Sequence, residues 1–256
     1  MPTINLTYGG GQKRLPTLRL EYMITSNQSH SISLRQSTPE DAKILFQAYT
    51  DETFIRLYRS NNPTQSEEQL RQMLLERAKQ PPLERGYIEF MIIHHKYGPI
   101  GVAMLGDYSK VHRRAEYLIG LFEKKYRGRY TLEALLLLLD LAFNAYNLNR
   151  IYGYVYGYND FALKSAVNLG FNHEGTLKNH HYCNHEKRFV SLYVNGLIVD
   201  DFRRNEKIRR FSRRFVGRDI TQPYQEVTAI PIEGELAAEY ENKLLKKLRS
   251  LSTNSQ

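Results

Sequence analysis

The sequence predicts a mixed α+β domain, in which a mostly antiparallel sheet is flanked by helices. Three observations lead to this prediction. Alternating apolar and polar residues between positions 87 and 122 indicate successive strands joined by tight turns. The stretch from Ala115 to Phe143 then passes from a strand, through a basic turn that contains Gly128, into an apolar helix. A second strand and helix follow between Arg150 and Asn168.

The first half of the domain is predicted to open with a strand and a helix and to continue as a meander. Ser37-Thr38-Pro39-Glu40-Asp41 is typical of a helix start, because a hydroxyl cap and a proline precede acidic residues. Thr64 to Lys79 is the next predicted helix, and Pro81-Pro82 ends it. The predicted strands share the alternation of apolar and polar residues: Ser31 to Arg35, Tyr87 to His95, Ile100 to Leu105 and Arg113 to Phe122.

The second half is predicted to contain two helices and two strands. The helices run from about Thr131 to Tyr146 and from Phe161 to Asn168, and the strands from Arg150 to Tyr158 and from Arg188 to Val194. The polar stretch 176–187 is assigned to the loop between the last two strands. Outside the domain, Thr17 to Ile24 alternates like an edge strand, and Glu235 to Leu251 has the apolar spacing of an amphipathic helix.

Length and composition indicate one globular domain with extensions. The chain has 256 residues, of which 41% are hydrophobic and 25% charged. A single cysteine, Cys183, excludes an internal disulfide framework and fits a reducing compartment. The first residues lack the apolar core of a cleavable signal. The longest apolar run, Leu132 to Phe143, is shorter than the roughly 20 residues of a membrane span. We therefore expect a cytoplasmic protein without a membrane partner.

The positive charge is concentrated near the C-terminus. The chain has a formal net charge of +9, and the segment from Arg203 to Arg218 alone holds eight basic residues and one acid. The rest of the chain is therefore close to neutral, so nucleic-acid binding by the whole protein is not expected. The segment itself is predicted to be a solvated basic helix, packed on the domain through apolar residues: Phe202, Ile208, Phe211 and Phe215.

The basic turn at residues 124–129 has the features of an anion site. The first N–H groups of a helix lack intrahelical partners, and they carry the positive end of the helix dipole. Arg127 and Arg129 add full charges beside them. Such an arrangement suits a phosphate or a pyrophosphate.

These residues resemble the GNAT superfamily of N-acetyltransferases, in particular its ribosomal-protein and spermidine acetyltransferase branch. The family places P-x-x-R-G-x-G-x-G/A between a strand and a helix, and Arg127-Gly128 matches this pattern. Tyr130 and Leu132 stand where the family has Gly or Ala, and Ala162 stands where it usually has Ser. Further matches occur in the family's order: Glu133-Ala134, Asn159, Gly170-Phe171 and Glu174-Gly175.

The resemblance covers Ser31 to Val199 and implies the GNAT fold, a twisted and mostly antiparallel sheet of about seven strands between helices. It divides the chain into an N-terminal extension (1–30), an acyltransferase domain (31–199) and a basic C-terminal extension (200–256). In this fold, two central strands separate, and the pantetheine arm of acyl-CoA lies between them. The residues expected to bind the donor are Gly120, Leu121, Phe122, Arg127, Gly128, Arg129, Tyr130, Thr131 and Asn159.

Three residues are predicted to take part in catalysis. Acyl transfer requires the amine to lose a proton, the carbonyl to be polarised and the thiolate to leave. Glu116 is the expected base, either directly or through water, unless it is an edge carboxylate paired with Arg113 or Arg114. Tyr154 replaces the acid that many relatives carry on this strand, and a phenol with a pKa of about 10 can donate a proton. Asn159 is expected to hold the donor amide or a water, unless it serves only as a helix cap.

A metal site is not expected. Several potential ligands crowd one region of the sequence: His173, His180, His181, Cys183 and His185. Their spacing matches no standard zinc ligand pair.

The sequence leaves three functions open. The first is transfer of an acetyl group from acetyl-CoA, or of another acyl group from its CoA ester, to a primary amine. The acceptor is then a protein N-terminus, a lysine, a polyamine or an amino sugar. The second is transfer of a longer acyl chain from an acidic carrier protein docked on Arg203 to Arg218, because the bulky Tyr130 and Leu132 are expected to weaken CoA binding. The third is a non-catalytic protein of the same fold whose basic tail contacts RNA.

Overall fold

The computed structural model describes residues 25–58, 66–79, 86–183 and 186–223 of the 256-residue chain. Its strands, in chain order, are β1 (Thr25–Gln28), β2 (Ile32–Gln36), β3 (Ile88–His94), β4 (Gly98–Ser109), β5 (Arg114–Leu121), β6 (Arg150–Tyr156), β7 (Asn172–Cys183) and β8 (Arg188–Ile198). Its α-helices are α1 (Ala42–Thr50), α2 (Glu52–Ile55), α3 (Glu67–Ala78), α4 (Arg129–Asp140), α5 (Asp160–Leu169), α6 (Val199–Arg204) and α7 (Glu206–Phe215).

All eight strands form one sheet in the order β1-β2-β3-β4-β5-β6-β8-β7. Every neighbouring pair is antiparallel except β5 and β6, which are parallel. The predicted meander and the mixed α+β fold are therefore confirmed. The eight strands are one more than the about seven that the resemblance implies, and β1 lies in the segment predicted to be an N-terminal extension.

Helices cover both faces of the sheet. On one face, α1, α2 and α3 pack over a cluster that includes Met91, Val102 and Leu118. On the other face, α4 and α5 pack over the larger core. Helix α4 continues into a π-helical turn at Leu141–Ala145, so the helix predicted from Thr131 to Tyr146 is confirmed. Among the described residues, no helix is both long and apolar enough to cross a membrane.

The C-terminal segment completes the core around α4. Phe202, Ile208 and Ile220 are fully buried against it, and the rings of Phe202 and Phe143 stack with centroids 4.5 Å apart. The predicted packing of the basic helix through its apolar residues is confirmed. Because α6 and α7 cover the outer side of α4, all of its residues from Glu133 onward are buried. The predicted elements at Thr17 to Ile24 and at Glu235 to Leu251 lie outside the described residues.

One prediction about local structure was wrong, and one short helix was not predicted. The stretch 176–187 was predicted to be a loop, but strand β7 continues to Cys183 and pairs with β8. This strand is the edge of the sheet, and its register shifts between Leu177 and His181, so its exposed polar residues do not alternate as a buried strand does. Helix α2 was not predicted, because one turn is too short to show a period.

Candidate active site

Strands β5 and β6 separate in the middle of the sheet. They pair at only three rungs, the last of which joins Glu116 to Tyr152. Beyond this rung, residues 117–121 of β5 pair with β4 and with no other described strand. The predicted separation of two central strands is therefore present in the structure.

Alternate residues of β5 direct their backbone N–H and C=O groups into the gap. The N–H group of Phe122 donates to the carbonyl of Ile100 in β4, 2.9 Å away. Successive residues of a strand direct their backbone groups to opposite neighbours. Tyr117, Ile119 and Leu121 therefore direct their N–H and C=O groups toward the gap. Of the three residues predicted to face the pantetheine arm, Leu121 has this orientation, whereas the backbone groups of Gly120 and Phe122 face β4.

Helix α2 and the residues that follow it cover this part of β5 with the rings of Phe54 and Tyr58. A Cβ atom on Gly120 would lie 2.6 Å from Cζ of Phe54 and 2.7 Å from Cδ2 of Tyr58, so only glycine allows these rings to approach. On the other side of the gap, the Tyr158 hydroxyl donates to the carbonyl of Arg56, 2.6 Å away. The segment that contains α2 therefore extends across the gap from β5 to the end of β6. Sequence reasoning missed it, although Asp51 caps α2 by accepting from the Thr53 N–H.

Glu116 and Tyr154 lie near the point where the strands separate. Glu116 is 7% exposed and belongs to the same face of β5 as Leu118 and Gly120, under the helices α1 to α3. Tyr154 follows the last shared rung by two residues, and its ring makes an edge contact with that of Tyr152. The structure thus brings the predicted base and the predicted acid to one end of the gap.

Tyr152 is fixed by a polar cluster that the sequence did not reveal. Its hydroxyl donates to Oδ2 of Asp107 and accepts from Nη1 of Arg114, 2.9 Å away. Asp107 has a left-handed backbone (φ 44°) at an irregularity between β4 and β5. Burial, together with the Asp107 hydrogen bond, raises the pKa of Tyr152, so this residue stays a neutral phenol.

The opposite end of β5 leads to the N-terminus of α4. Gly128 precedes the helix with φ 90°, a conformation that favours glycine, and its carbonyl accepts the N–H of Leu132 at 3.0 Å. The N–H groups of Arg129, Tyr130 and Thr131 come before this first helical hydrogen bond, so they carry the positive end of the dipole. This is the geometry that was predicted for an anion site.

The first two side chains of α4 form contacts with the body of the protein, although Arg129 stays exposed. Arg129 donates from Nε to the buried carboxylate of Glu133 (2.7 Å) and from Nη2 to the hydroxyl of Ser31 (2.8 Å). The hydroxyl of Tyr130 lies 3.1 Å from Nε2 of His94, and its ring packs on the main core. The ring of Tyr130 therefore packs against the core, and the guanidinium of Arg129 connects the start of α4 to Glu133 and to the β1–β2 turn.

Comparison with known proteins agrees with this geometry. The model of the acetyltransferase (GNAT) domain family matches residues 31–172, which is more than half of the chain. The chain belongs to the GNAT acetyltransferase family.

Relatives and solved structures support the same assignment. An uncharacterised N-acetyltransferase named YoaA from Bacillus subtilis strain 168 is 28% identical over 169 residues, which are 65% of this chain and 93% of that protein. A spermidine N-acetyltransferase from Vibrio cholerae, solved with CoA and spermine, is 20% identical and has a TM-score of 0.58, covering 65% of this chain and 95% of that one. A dodecameric structure of that enzyme in an intermediate state gives 20% identity and a TM-score of 0.56, covering 65% and 93%. The protein is therefore a GNAT-type N-acyltransferase with the GNAT fold.

In this GNAT domain, Asn159 serves as a helix cap. Its Oδ1 accepts the N–H of Ala162 at 3.2 Å, at the start of α5. A contact of Asn159 with the donor stays a prediction.

About half of the charge of the basic segment is compensated by nearby acids. Four of its eight cations pair with carboxylates: Arg204 with Asp201, Arg209 with Glu206 and Asp219, Arg213 with Asp219, and Arg218 with Asp140. Arg203 donates to the Asn144 side chain and to the Thr221 carbonyl. Both the pairing and the inward orientation of Tyr130 remove the arguments for a carrier protein, so no observation supports that partner.

The histidines near the end of the GNAT domain are spread along β7. His181 Nε2 lies 3.4 Å from the Tyr156 hydroxyl, whereas the side chains of His173 and His180 are exposed. Within the described ranges, no group of three or more His, Cys, Asp or Glu side chains is arranged to hold a metal ion.

Proposed function

We propose that this enzyme transfers an acetyl group from acetyl-CoA to a primary amine. The observation that carries the proposal is the position of β5, which lies along the gap between the separated strands. The backbone edge of residues 117–121 that faces the gap pairs with no described strand, and it runs from the Glu116–Tyr152 rung toward the N-terminus of α4. One end of this edge suits the phosphates of the donor, and the other end holds a carboxylate.

The donor end is formed by the loop before α4. Helix N–H groups from Arg129 to Thr131 can bind a pyrophosphate, and Arg127 adds a positive charge beside them. Arg127 also lies near enough to Asp51 to help lower its pKa, after the larger effect of the hydrogen bonds from Thr53. The backbone groups of Tyr117, Ile119 and Leu121 can pair with amides of the pantetheine arm, as an added strand does.

The acceptor end supplies the chemistry of aminolysis. Glu116 takes a proton from the ammonium, directly or through water, so that the neutral amine can attack the carbonyl carbon. A backbone N–H directed into the gap polarises the carbonyl oxygen as it becomes negative. When the C–S bond breaks, the electron pair leaves on sulfur, Tyr154 can donate a proton to the thiolate, and the proton that the attacking nitrogen then loses restores the phenol.

A polyamine is the first acceptor to test. The buried carboxylate of Glu116 lies at the acceptor end and favours a cationic substrate, whereas Asp107 on the adjacent strand is paired with Arg114. The structural neighbours from Vibrio cholerae are named spermidine N-acetyltransferases. A protein N-terminus, a lysine and an amino sugar are the other amines in the screen.

Calorimetric titration with acetyl-CoA tests the donor. We expect micromolar binding to the wild-type protein and at least a tenfold loss of affinity in Arg127→Ala, because one charge beside the pyrophosphate is removed. Arg210→Ala is the control, since this arginine is exposed on α7 and its guanidinium lies over the Phe211 ring. Binding that is absent in the wild type, or equal in both variants, would refute the proposed donor site. Release of CoA with spermidine, but not without an amine, then tests the transfer.

A further inference from the structure

Tyr117 is the first residue of β5 beyond the last rung that this strand shares with β6. Its counterpart on β6 is Gly153, since each of the two follows the Glu116–Tyr152 rung by one residue. A Cβ atom on Gly153 would lie 2.5 Å from Cε1 and 2.9 Å from Cζ of the Tyr117 ring. Because a Cβ atom cannot approach a ring so closely, the glycine allows the ring to reach across from β5 to β6.

The ring of Tyr117 is also fixed by a contact from the side of α5. Its centroid lies 5.0 Å from that of Phe171, which follows the end of α5 and is fully buried. The N–H of Phe171 donates to the carbonyl of Ala166, 3.1 Å away, so this second ring is tied to the helix. Tyr117 itself is only partly buried, and a ligand in the gap can therefore contact its ring.

The Tyr117 ring lies on the face of the sheet that carries α4 and α5. It packs on the core of this face together with Ile119 and Leu121. Helix α4 packs on β4 and β5, and α5 packs on β6 and β8, so the gap lies between the two helices. Successive side chains of a strand alternate, so Glu116 belongs to the other face. The ring therefore closes the inner end of the gap from one face, and the proposed base reaches this end from the opposite face.

We propose that Tyr117 limits the length of the acyl chain that the enzyme transfers. The inference rests on the proposed function, because it requires a donor that lies along β5 with its phosphates at the N-terminus of α4. A donor in this orientation carries its acyl group at the Glu116 end of the strand, where the ring covers Gly153. An acetyl methyl can end in front of the ring, whereas a longer chain has to displace it.

A purely structural role of the ring leads to a different expectation. An aromatic ring over a glycine also stabilises a sheet, so a loss of stability in a Tyr117 variant does not distinguish the two roles. The ratio of kcat/KM for two acyl donors is measured within one variant, and a loss of active protein cancels from this ratio. The preference for a short chain is therefore the decisive measurement.

Steady-state kinetics with acetyl-, butyryl- and hexanoyl-CoA tests the inference, with the amine that gives the fastest release of CoA as acceptor. One methylene group in an apolar pocket changes kcat/KM by about 10- to 200-fold. We therefore expect the wild type to prefer acetyl-CoA over butyryl-CoA by at least about tenfold, and Tyr117→Ala to lower this preference by at least about tenfold. Tyr117→Leu keeps apolar packing and should give an intermediate preference. Tyr117→Phe should keep the wild-type preference, because the ring and not the hydroxyl limits the chain.

Two further variants test the position of the ring. Ile119→Ala changes the same face of β5, two residues nearer to the phosphate end, so we expect acetyl-CoA affinity to change and the chain-length preference to stay within about twofold. Gly153→Ala should lower the melting temperature of the wild type more than that of Tyr117→Ala, because the added Cβ meets the ring only where the ring is present.

The outcomes separate the inference from the proposed function. If Tyr117→Ala and Tyr117→Leu keep the wild-type preference, or if neither folds, the inference is overturned while the proposed function stands. The same holds if the wild type uses hexanoyl-CoA as well as acetyl-CoA, or if Gly153→Ala lowers the melting temperature equally in both backgrounds. If the wild type neither binds nor consumes any of the three donors, both the proposed function and the inference fail.

Discussion

Glu116 and Tyr152 face each other on the last rung that β5 and β6 share. Side-chain hydrogen bonds stabilise this rung in addition to the strand pairing, because Tyr152 bonds to both Asp107 and Arg114. The strands can therefore separate beyond residue 116 without the whole sheet opening. The carboxylate of Glu116 is fixed at the closed end of the gap, where the acyl group and the amine are proposed to meet.

Glu116→Gln should slow catalysis and leave donor binding intact. A positioned general base contributes about 10²- to 10⁴-fold, so we expect kcat to fall at least 10²-fold at neutral pH. Acetyl-CoA affinity should stay within twofold of wild type, because the phosphate loop lies at the other end of β5. Steady-state kinetics with calorimetry separates the two effects. Glu68→Gln, an exposed change on α3, is the control, and equal rates in both variants would exclude Glu116 as the base.

Arg129→Ala should destabilise the fold, although Arg129 is more than half exposed. Its partner Glu133 is fully buried, and the Ser29 hydroxyl alone would remain to bond this carboxylate. Removing one partner of a buried charge costs about 2 kcal/mol or more in the free energy of unfolding. Urea denaturation measures this loss. In Arg129→Ala combined with Glu133→Gln, we expect part of the stability to return, and an additive double variant would show that the two residues are not coupled.

The sequence was sufficient to predict the elements whose signals are local. The turn before α4, the cap before α1 and the helix end at Gly170 depend on residue types at fixed spacing, and all three are present. The separated strands were predicted through family resemblance, since the residues between Glu116 and Phe122 do not themselves indicate which edge stays free.

Features that depend on tertiary contacts could not be predicted. Arg129 looked like a phosphate ligand, because nothing in the sequence reveals that Glu133 and Ser31 bind its guanidinium. The net charge of the basic segment could not be read from the segment alone for the same reason, since Asp140 and Asp219 offset part of it from outside the segment. Tyr58 was missed because its position over Gly120 depends on how α2 crosses the sheet.

Phe202→Ala should show that the C-terminal helices belong to the folding unit. Phe202 is fully buried and stacks on Phe143 under α4. Truncating a buried phenylalanine to alanine typically lowers the free energy of unfolding by about 3–5 kcal/mol. Phe161→Ala is the matched control, because this side chain is 73% exposed and its loss should change stability by less than about 0.5 kcal/mol. Equal midpoints in urea would mean that α6 is peripheral.

His94 should make the stability of the enzyme sensitive to acid. Its Nδ1 accepts the N–H groups of Lys96 (2.9 Å) and Tyr97 (3.2 Å) in the β3–β4 turn, so protonation of Nδ1 breaks both bonds. Burial first, and then the neighbouring His95, lower the pKa of His94 from its usual 6.5. Below about pH 6.5 the unfolded chain binds this proton and the folded protein resists it, so stability falls as the pH decreases toward the lowered pKa.

The melting temperature as a function of pH measures this effect. Between about pH 7.5 and pH 5.5 we expect the wild type to lose more stability than His94→Gln, which has no proton to bind at this position. The variant is expected to start from a lower value at the higher pH, because the turn loses the acceptor for its two N–H groups. His112→Gln, a change in the exposed β4–β5 turn, should keep the pH dependence of the wild type. If His94→Gln keeps it as well, the acid sensitivity comes from other groups.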